Sequence, residues 1–283
     1  MSGRSGDAPR DDPPGAGEAL LAAARDIATA AGSLTLRWFG RRDLGVTWKR
    51  DGTEVTEADR AAERLVRERI GRQFPDDAIF GEEEGGSIRP DGRTWIVDPI
   101  DGTRGFVRGV PLYATLVALV DPHGPLVGVI DLPVLEHTLA AGRGAGCWLG
   151  DHRCSVSDHL GLSGALVNTS DYNTFEPSQF EALRSGGAMM RTWGDAYGYF
   201  LVATGQAEAM IDPVCETWDL APMPVIMAES GGRFTDVAGR PEYRNRNGVA
   251  TNGLVHAAVL DAMQGPSDSQ AAARRPQGAA HGE

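Results

Sequence analysis

Cysteine is scarce in this chain. Three residues, Cys147, Cys154 and Cys215, occur among 283, with no C-x-x-C spacing. That argues against a disulfide framework and a thiolate zinc site, and it fits a reducing, cytoplasmic setting. Long apolar runs are missing too. No stretch approaches the roughly 18 apolar residues of a membrane helix, so no membrane partner is expected. The N-terminal MSGRSGDAPRDDPPGAG lacks an apolar core and does not read as a secretory signal. Positive charge is also short: 27 Lys and Arg against 39 Asp and Glu leave a net charge of −12. That sign argues against a nucleic-acid backbone as main partner. It leaves room for a small phosphorylated metabolite, because bound divalent cations invert the local field. Covalent phosphatase chemistry of the Cys-x5-Arg or Asp-x-Asp-x-Thr type is not expected.

What remains is an ordinary globular mix, 41% hydrophobic and 23% charged. The length fits one large domain or two intimate subdomains. The most informative stretch is Trp95-Ile96-Val97-Asp98-Pro99-Ile100-Asp101-Gly102-Thr103. Its first three residues read as a strand. Asp98 and Asp101 follow on a turn that Pro99 stiffens and Gly102 allows to tighten. Two carboxylates so close repel unless a cation or protons lie between them. All-oxygen ligation favours Mg²⁺, Mn²⁺ or Ca²⁺ over zinc. An acidic Asp-Gly turn with no metal is the plain alternative.

In chain order, residues 1–16 are polar and expected to be disordered. Ala19, Leu20, Ala23, Ile27, Ala30, Ala31, Leu34 and Trp38 recur at helical spacing, predicting a helix from Glu18 to near Gly40. Residues 45–55 read as extended, with a turn at Asp51-Gly52. Thr56-Glu57-Ala58-Asp59 opens a second helix, with Thr56 as N-cap and Asp59 at the N3 position of a capping box. Ala78–Gly81 reads as a strand delivering Glu82, Glu83 and Glu84. Residues 104–111 are a Gly-rich segment. Residues 112–149 read as an antiparallel meander, with His123, His137 and His152 on its turns or strand ends. From 165 the texture becomes alternating strand and helix. Asp195 opens one helix there, as a plain N-cap residue or a substrate contact. Glu216-Thr217-Trp218-Asp219 leads another through Ser230, capped by Gly231-Gly232. Pro222 fits a first turn, whereas Pro224 is deep enough to delay or bend that helix. A short last helix covers His256–Met263. The boundaries read as a tail to residue 16, an N-terminal α+β half over 17–155, a C-terminal α/β half over 156–263, and a disordered tail over 264–283.

Glu82-Glu83 after glycine, Asp98-Pro-Ile-Asp101-Gly102-Thr103, and Trp218-Asp219 before a helix ending Glu229-Ser230-Gly231-Gly232 form one signature. Together they resemble the inositol monophosphatase family of Mg²⁺-dependent phosphatases, over roughly residues 18–263. Residues 105–111, 191–195 and 232–235 resemble its histidinol-phosphate phosphatase branch. The resemblance implies a layered αβαβα sandwich of mixed α+β and α/β character. It implies a site for up to three Mg²⁺, with Mn²⁺ able to substitute. The ligands would be Glu82, Asp98, the Ile100 carbonyl, Asp101 and Asp219. Thr103 would hold the attacking water, with Asp59 orienting Thr103 and Glu82 sharing in catalysis. Amides at Gly102 and Thr103 would hold phosphate at a helix start. Asp195 aligns with a family position that contacts the alcohol part of the substrate. Glu216 is a second substrate candidate by its closeness to Asp219, and Arg104 and Arg108 are either phosphate contacts or solvated loop charges.

The expected function is hydrolysis of a small phosphate monoester by a metal-activated water, with L-histidinol phosphate favoured. Inositol, sugar, nucleoside and phosphoadenosine phosphates are the alternatives within the family. A non-catalytic phosphate- or partner-binding homologue is the alternative of another class. A homodimer is the family expectation.

Overall fold

A computed structural model describes residues 13–48 and 54–264 of the chain. The Asp51-Gly52 turn, residues 1–12 of the expected N-terminal tail and residues 265–283 of the C-terminal one lie outside these residues. Ala16 lies inside them: it is buried, and its N–H donates to the Arg143 carbonyl at 2.8 Å, so packing begins earlier than expected.

The first run of elements is α1 (Glu18–Thr35), β1 (Thr47–Trp48), β2 (Glu54–Val55), α2 (Glu57–Gln73), β3 (Ala78–Gly81), β4 (Gly85–Gly86), β5 (Thr94–Asp101), α3 (Thr103–Val107), β6 (Ala114–Asp121), β7 (Gly124–Leu132), β8 (His137–Gly142), β9 (Gly146–Leu149) and β10 (His152–Arg153). The second is β11 (Leu166–Asn168), α4 (Pro177–Ser185), β12 (Met189–Arg191), α5 (Asp195–Ala203), β13 (Ala209–Asp212), α6 (Thr217–Leu220), α7 (Met223–Ser230), β14 (Arg233–Thr235), β15 (Gly248–Thr251) and α8 (His256–Gln264).

The strands β10-β9-β8-β7-β6-β5-β3-β4 form one eight-stranded sheet, and β12-β11-β13-β15-β14 form a five-stranded one. β5 is buried along its whole length, which is why its apolar residues run on without polar alternation. Its two faces serve different cores. Trp95 and Val97 pack with Ala24, Ile27, Ala28 and Ala31 of α1 and Ala62, Val66 and Ile70 of α2. Ile96 packs toward α5 and α7, whose Tyr199, Met223 and Met227 also meet Met210 and Ala250 of the second sheet. The far face of that sheet, Val167, Ala209 and Val249, is covered by Leu183 of α4 and Val259 of α8. The result is the expected αβαβα stack.

Four local readings need correction. α1 stops at Thr35, and its buried stripe is Ala24, Ile27, Ala28, Ala31, Gly32 and Thr35, so Ala19 and Ala30 lie off it. The Gly-rich segment after Thr103, for which no element was expected, begins as a short helix, α3. Gly248–Thr251 is a strand, buried between β13 and β14, that the residues alone had not suggested. The helix after Glu216 is broken in two: α6 ends at Leu220, and Pro222 and Pro224 sit at the N-cap and N2 positions of α7. Both prolines thus occupy positions where no intrahelical N–H is needed.

His256 gives the fold one acid-sensitive joint. Its Nε2 lies 3.0 Å from the Thr235 hydroxyl and its Nδ1 lies 2.9 Å from that of Thr251. The Thr235 hydroxyl donates to the Asp236 carbonyl, so it accepts from Nε2–H, and Thr251 donates to a neutral Nδ1. Burial, helped by the Arg233 charge, pushes this imidazole down to about 4 from its ordinary 6.5. The unfolded chain therefore binds the proton first, and stability falls as pH drops from about 6.5 toward 4. Urea unfolding across that window should show a steeper acid loss for the native chain than for His256→Gln. Equal slopes would remove His256 as the cause.

Candidate active site

The site grows from the irregular end of β5. Its pairing with β6 slips between Asp98 and Asp101, where Pro99 has no N–H to give. The Thr115 hydroxyl holds this bulge by donating to the Pro99 carbonyl at 2.8 Å. Asp98 Oδ1 accepts the Ile100 N–H at 3.0 Å. The Ile100 side chain anchors in a cluster with Ala58, Phe106 and Tyr113, while its carbonyl accepts the Thr103 hydroxyl at 2.9 Å. Asp101 reaches across to the second half of the fold, where its Oδ2 accepts the Ala196 N–H at 2.5 Å. Gly102 then turns the chain with φ 84° into α3, and a Cβ there would stand 2.9 Å from Asp195 Oδ2. Both the left-handed backbone and the carboxylate contact require glycine.

Three other segments converge on this bulge. The capping box at the start of α2 is present, with Asp59 Oδ2 accepting from the Thr56 N–H at 2.8 Å and hydroxyl at 2.6 Å. Its other oxygen, Oδ1, lies 3.4 Å from the Thr103 hydroxyl, so capping and contact with Thr103 coexist. β3 runs parallel to β5, and the Glu82 N–H donates to the Val97 carbonyl at 3.1 Å, so Glu82 emerges beside Asp98. α6 supplies Asp219, whose Oδ2 accepts the Glu216 N–H at 2.8 Å in a second capping box. Because α6 carries its own cap, the prolines that follow do not disturb the aim of Asp219.

Asp98, Asp101 and Asp219 each bring an oxygen to within 4.8 Å of the other two; among the described residues this is the one group of acid, His or Cys side chains so gathered. Burial pushes Asp98 well above the ordinary carboxylate range, and the charges of Glu82, Asp101 and Asp219 push it further. Burial does the same to Asp101, reinforced by Asp195 and Asp219. Asp219 rises to about 7, again chiefly by burial, although the Glu216 N–H pulls it back. Asp59 rises more modestly, because its bonds from Thr56 oppose its burial. Hard oxygen donors with converging, frustrated negative charge are what a divalent cation of the Mg²⁺ type relieves.

These side chains border an open cleft of about 380 Å³ that Glu82, Ile100, Gly102, Thr103, Arg104, Asp195 and Glu216 also line. Asp59 stands behind it, in contact through Thr103. Arg104 lies at the cleft edge, where its charge reaches Asp195. Arg108 does not itself line the cleft but pairs at 3.0 Å with the buried Glu54, which does. Glu216 is already engaged by Arg246, besides capping α6.

Four lining residues, Glu54, Ser170, Asp171 and Val214, were not anticipated. Beneath them lies a smaller cavity of about 100 Å³ bordered by Tyr199, Asp212 and Cys215. Asp212 accepts from the Ser170 N–H at 3.1 Å and the Tyr199 hydroxyl at 3.0 Å, and Ser170 in turn accepts the Asp195 N–H at 2.8 Å. Burial lifts Asp212 to about 6. The signal was available: Asp212 ends the apolar strand Ala209–Ile211 just as Asp98 follows Trp95–Val97. Cys147 and Arg153 do share the Cys-x5-Arg spacing of a covalent phosphatase loop. They lie on the β9–β10 hairpin with Cys147 fully buried, so they form no phosphate loop.

The model of the inositol monophosphatase family matches residues 17–266. A histidinol-phosphatase of Chlorobaculum parvum is 42% identical over 235 residues, spanning 82% of this chain and 91% of its own. One of Mycobacterium tuberculosis is 41% identical over 243 residues, spanning 83% and 94%. Among solved structures, an IMPase of Thermotoga maritima superposes with a TM-score of 0.80 at 31% identity, over 86% of this chain and 96% of its own. No helix among the described residues is long and apolar enough to cross a membrane.

Proposed function

The chain belongs to the inositol monophosphatase family and is a phosphoric monoester hydrolase, and on that premise we propose that it hydrolyses L-histidinol phosphate with Mg²⁺ as its cofactor. One observation carries the reading: carboxylates from β5 and α6, more than a hundred positions apart in sequence, converge within 4.8 Å at the cleft floor. Asp98, Asp101, Asp219, Glu82 and the Ile100 carbonyl would hold up to three Mg²⁺, and Mn²⁺ fits the same donors. Once bound, such ions lower the pKa of a coordinated water and withdraw charge from the phosphoryl and leaving oxygens.

The chain supplies the positioning. The Thr103 hydroxyl lies between the Ile100 carbonyl and Asp59, so its proton is committed to one of them and its lone pairs are left to accept from the attacking water. Asp59 is buried and held by Thr56, which fixes Thr103 in turn. The first-turn amides of α3, at Gly102 and Thr103, would receive phosphoryl oxygens. On the side that would take the leaving group, Asp171 and Asp195 line the cleft with Asp212 below, while Glu216 is paired with Arg246 and Arg104 stands near Asp195. That excess of acidic groups suits an amino-alcohol phosphate, whose leaving group carries an ammonium. The 41–42% identity to the two histidinol-phosphatases supports the same substrate.

The test is phosphate release from a panel holding histidinol phosphate, inositol 1-phosphate, fructose 1,6-bisphosphate, a nucleoside monophosphate and phosphoadenosine phosphate. Histidinol phosphate is expected to lead in kcat/KM by at least about tenfold, a difference of roughly 1.4 kcal/mol in transition-state binding. A lead by another ester would overturn the substrate. Release from none at several millimolar Mg²⁺ would favour a binding homologue instead.

A further inference from the structure

We infer that Glu63 is a positioning residue for the metal site, acting through the turn that carries Glu82. The inference rests on the metal-site reading above. Glu63 lies one helical turn beyond Asp59 on α2 and its side chain is fully buried. A carboxylate placed so deep must be satisfied completely or it destabilises the fold. Here both oxygens are used. Oε2 accepts the Glu83 N–H at 2.7 Å, and Oε1 accepts the Glu84 N–H at 3.0 Å. Arg67, the next turn along α2, donates to Oε1 at 2.8 Å and neutralises the charge.

Arg67 also closes the other end of the same turn. It donates to the Gly85 carbonyl at 2.5 Å and pairs with Glu84 at 3.5 Å. Residues 83–85 are therefore clasped to α2 by one ion pair. Glu82 lies between this clasp and β5, to which its own N–H is bonded. Its backbone is fixed from both sides, and its position relative to Asp98 follows. Gly81 makes the clasp possible: a Cβ there would fall 2.2 Å from Glu63 Oε1. One face of α2 thus sets two parts of the site, with Asp59 touching Thr103 and Glu63 holding the turn of Glu82.

The chemistry asks for a carboxylate. Two converging N–H donors need two acceptor oxygens, and glutamine offers one oxygen and one NH₂, which would face a donor with a donor. In Glu63→Gln the turn should loosen and Glu82 lose its fixed position. Aspartate keeps the charge but falls short by one methylene.

The experiment measures Mn²⁺ affinity by the electron paramagnetic resonance of free Mn²⁺, and melting temperature in chelator, for the native chain, Glu63→Gln, Glu63→Asp, Gly81→Ala and Glu82→Gln. Glu63→Gln and Gly81→Ala are expected to weaken Mn²⁺ binding by about tenfold or more, equivalent to roughly 1.4 kcal/mol. Glu63→Asp should fall between them and the native chain. Gly81→Ala keeps every charge, so it carries the test if Glu63→Gln fails to fold. If Glu82→Gln weakens binding while folded Glu63→Gln or Gly81→Ala stays within twofold of native, Glu63 is structural and the inference fails. If Glu82→Gln itself leaves affinity unchanged, the ligand reading of Glu82 fails and takes this inference with it.

Discussion

Replacing Asp98 with asparagine is expected to cut kcat more than about 100-fold at saturating Mg²⁺, a barrier increase of at least roughly 2.7 kcal/mol. Asparagine matches aspartate in shape, and its oxygen still accepts the Ile100 N–H that Asp98 Oδ1 now takes. The bulge of β5 is therefore preserved. What disappears is one negative charge from a group of three oxygens gathered within 4.8 Å. A divalent cation loses a hard anionic donor there, and the NH₂ that replaces it points a donor at the ion. In chelator, the same variant should melt no lower than the native chain, because a buried charge pushed far from its ordinary range has been removed. The pair of measurements separates catalysis from folding. A kcat within threefold of native at saturating Mg²⁺ would sink the assignment of Asp98 as a ligand.

The same residues show what a sequence reveals and what it conceals. β5 was legible because Trp95, Ile96 and Val97 are bulky on both faces, and a strand buried on both faces has no reason to alternate. The capping box at Thr56 and Asp59 was legible because both partners lie within four residues of each other. The contact of Asp59 with Thr103 was not legible from local pattern, since 44 positions separate them. Family resemblance supplied that link, and the coordinates supply its distance. Asp212 was passed over because a lone acid at the end of a short strand means little until Ser170 and Tyr199 are seen to hold it. Glu63 carries no motif of its own, and its spacing to Arg67 is that of an ordinary i, i+4 helical ion pair. That pair is real, yet the carboxylate also takes two amides from a turn some twenty residues away. Pro222 and Pro224 signalled a disturbed helix, and the disturbance takes the form of a break, with α6 ending at Leu220 and a new helix starting on the prolines. Local rules found elements and caps; they failed where one side chain serves two distant segments at once.

Removing divalent cations is expected to bring activity below about 1% of the Mg²⁺-loaded level and to lower the melting temperature, with both restored by Mg²⁺. The stability effect follows from mass action. A ligand that binds only the folded state at 100 times its Kd adds about 2.7 kcal/mol. For a chain of this size that corresponds to a shift of roughly 5–10 °C. The structure gives this coupling a cause. Asp98 and Asp101 are buried, and the side chains nearest them, Glu82, Asp195 and Asp219, add like charge. Among the described residues, Arg104 lies at the cleft edge and Arg108 is spent on Glu54. Ordinary salt should not substitute, because screening acts weakly on charges withdrawn from solvent. Sodium at matched ionic strength is therefore the control that isolates site binding. Ca²⁺ offers a further discrimination: it accepts the same oxygens but tolerates loose, higher coordination. It should restore the melting temperature more fully than the rate, because holding the carboxylates together demands charge, whereas in-line attack past Thr103 demands geometry. A chelated protein that melts with the Mg²⁺-loaded one would show that the three carboxylates are not the ligands.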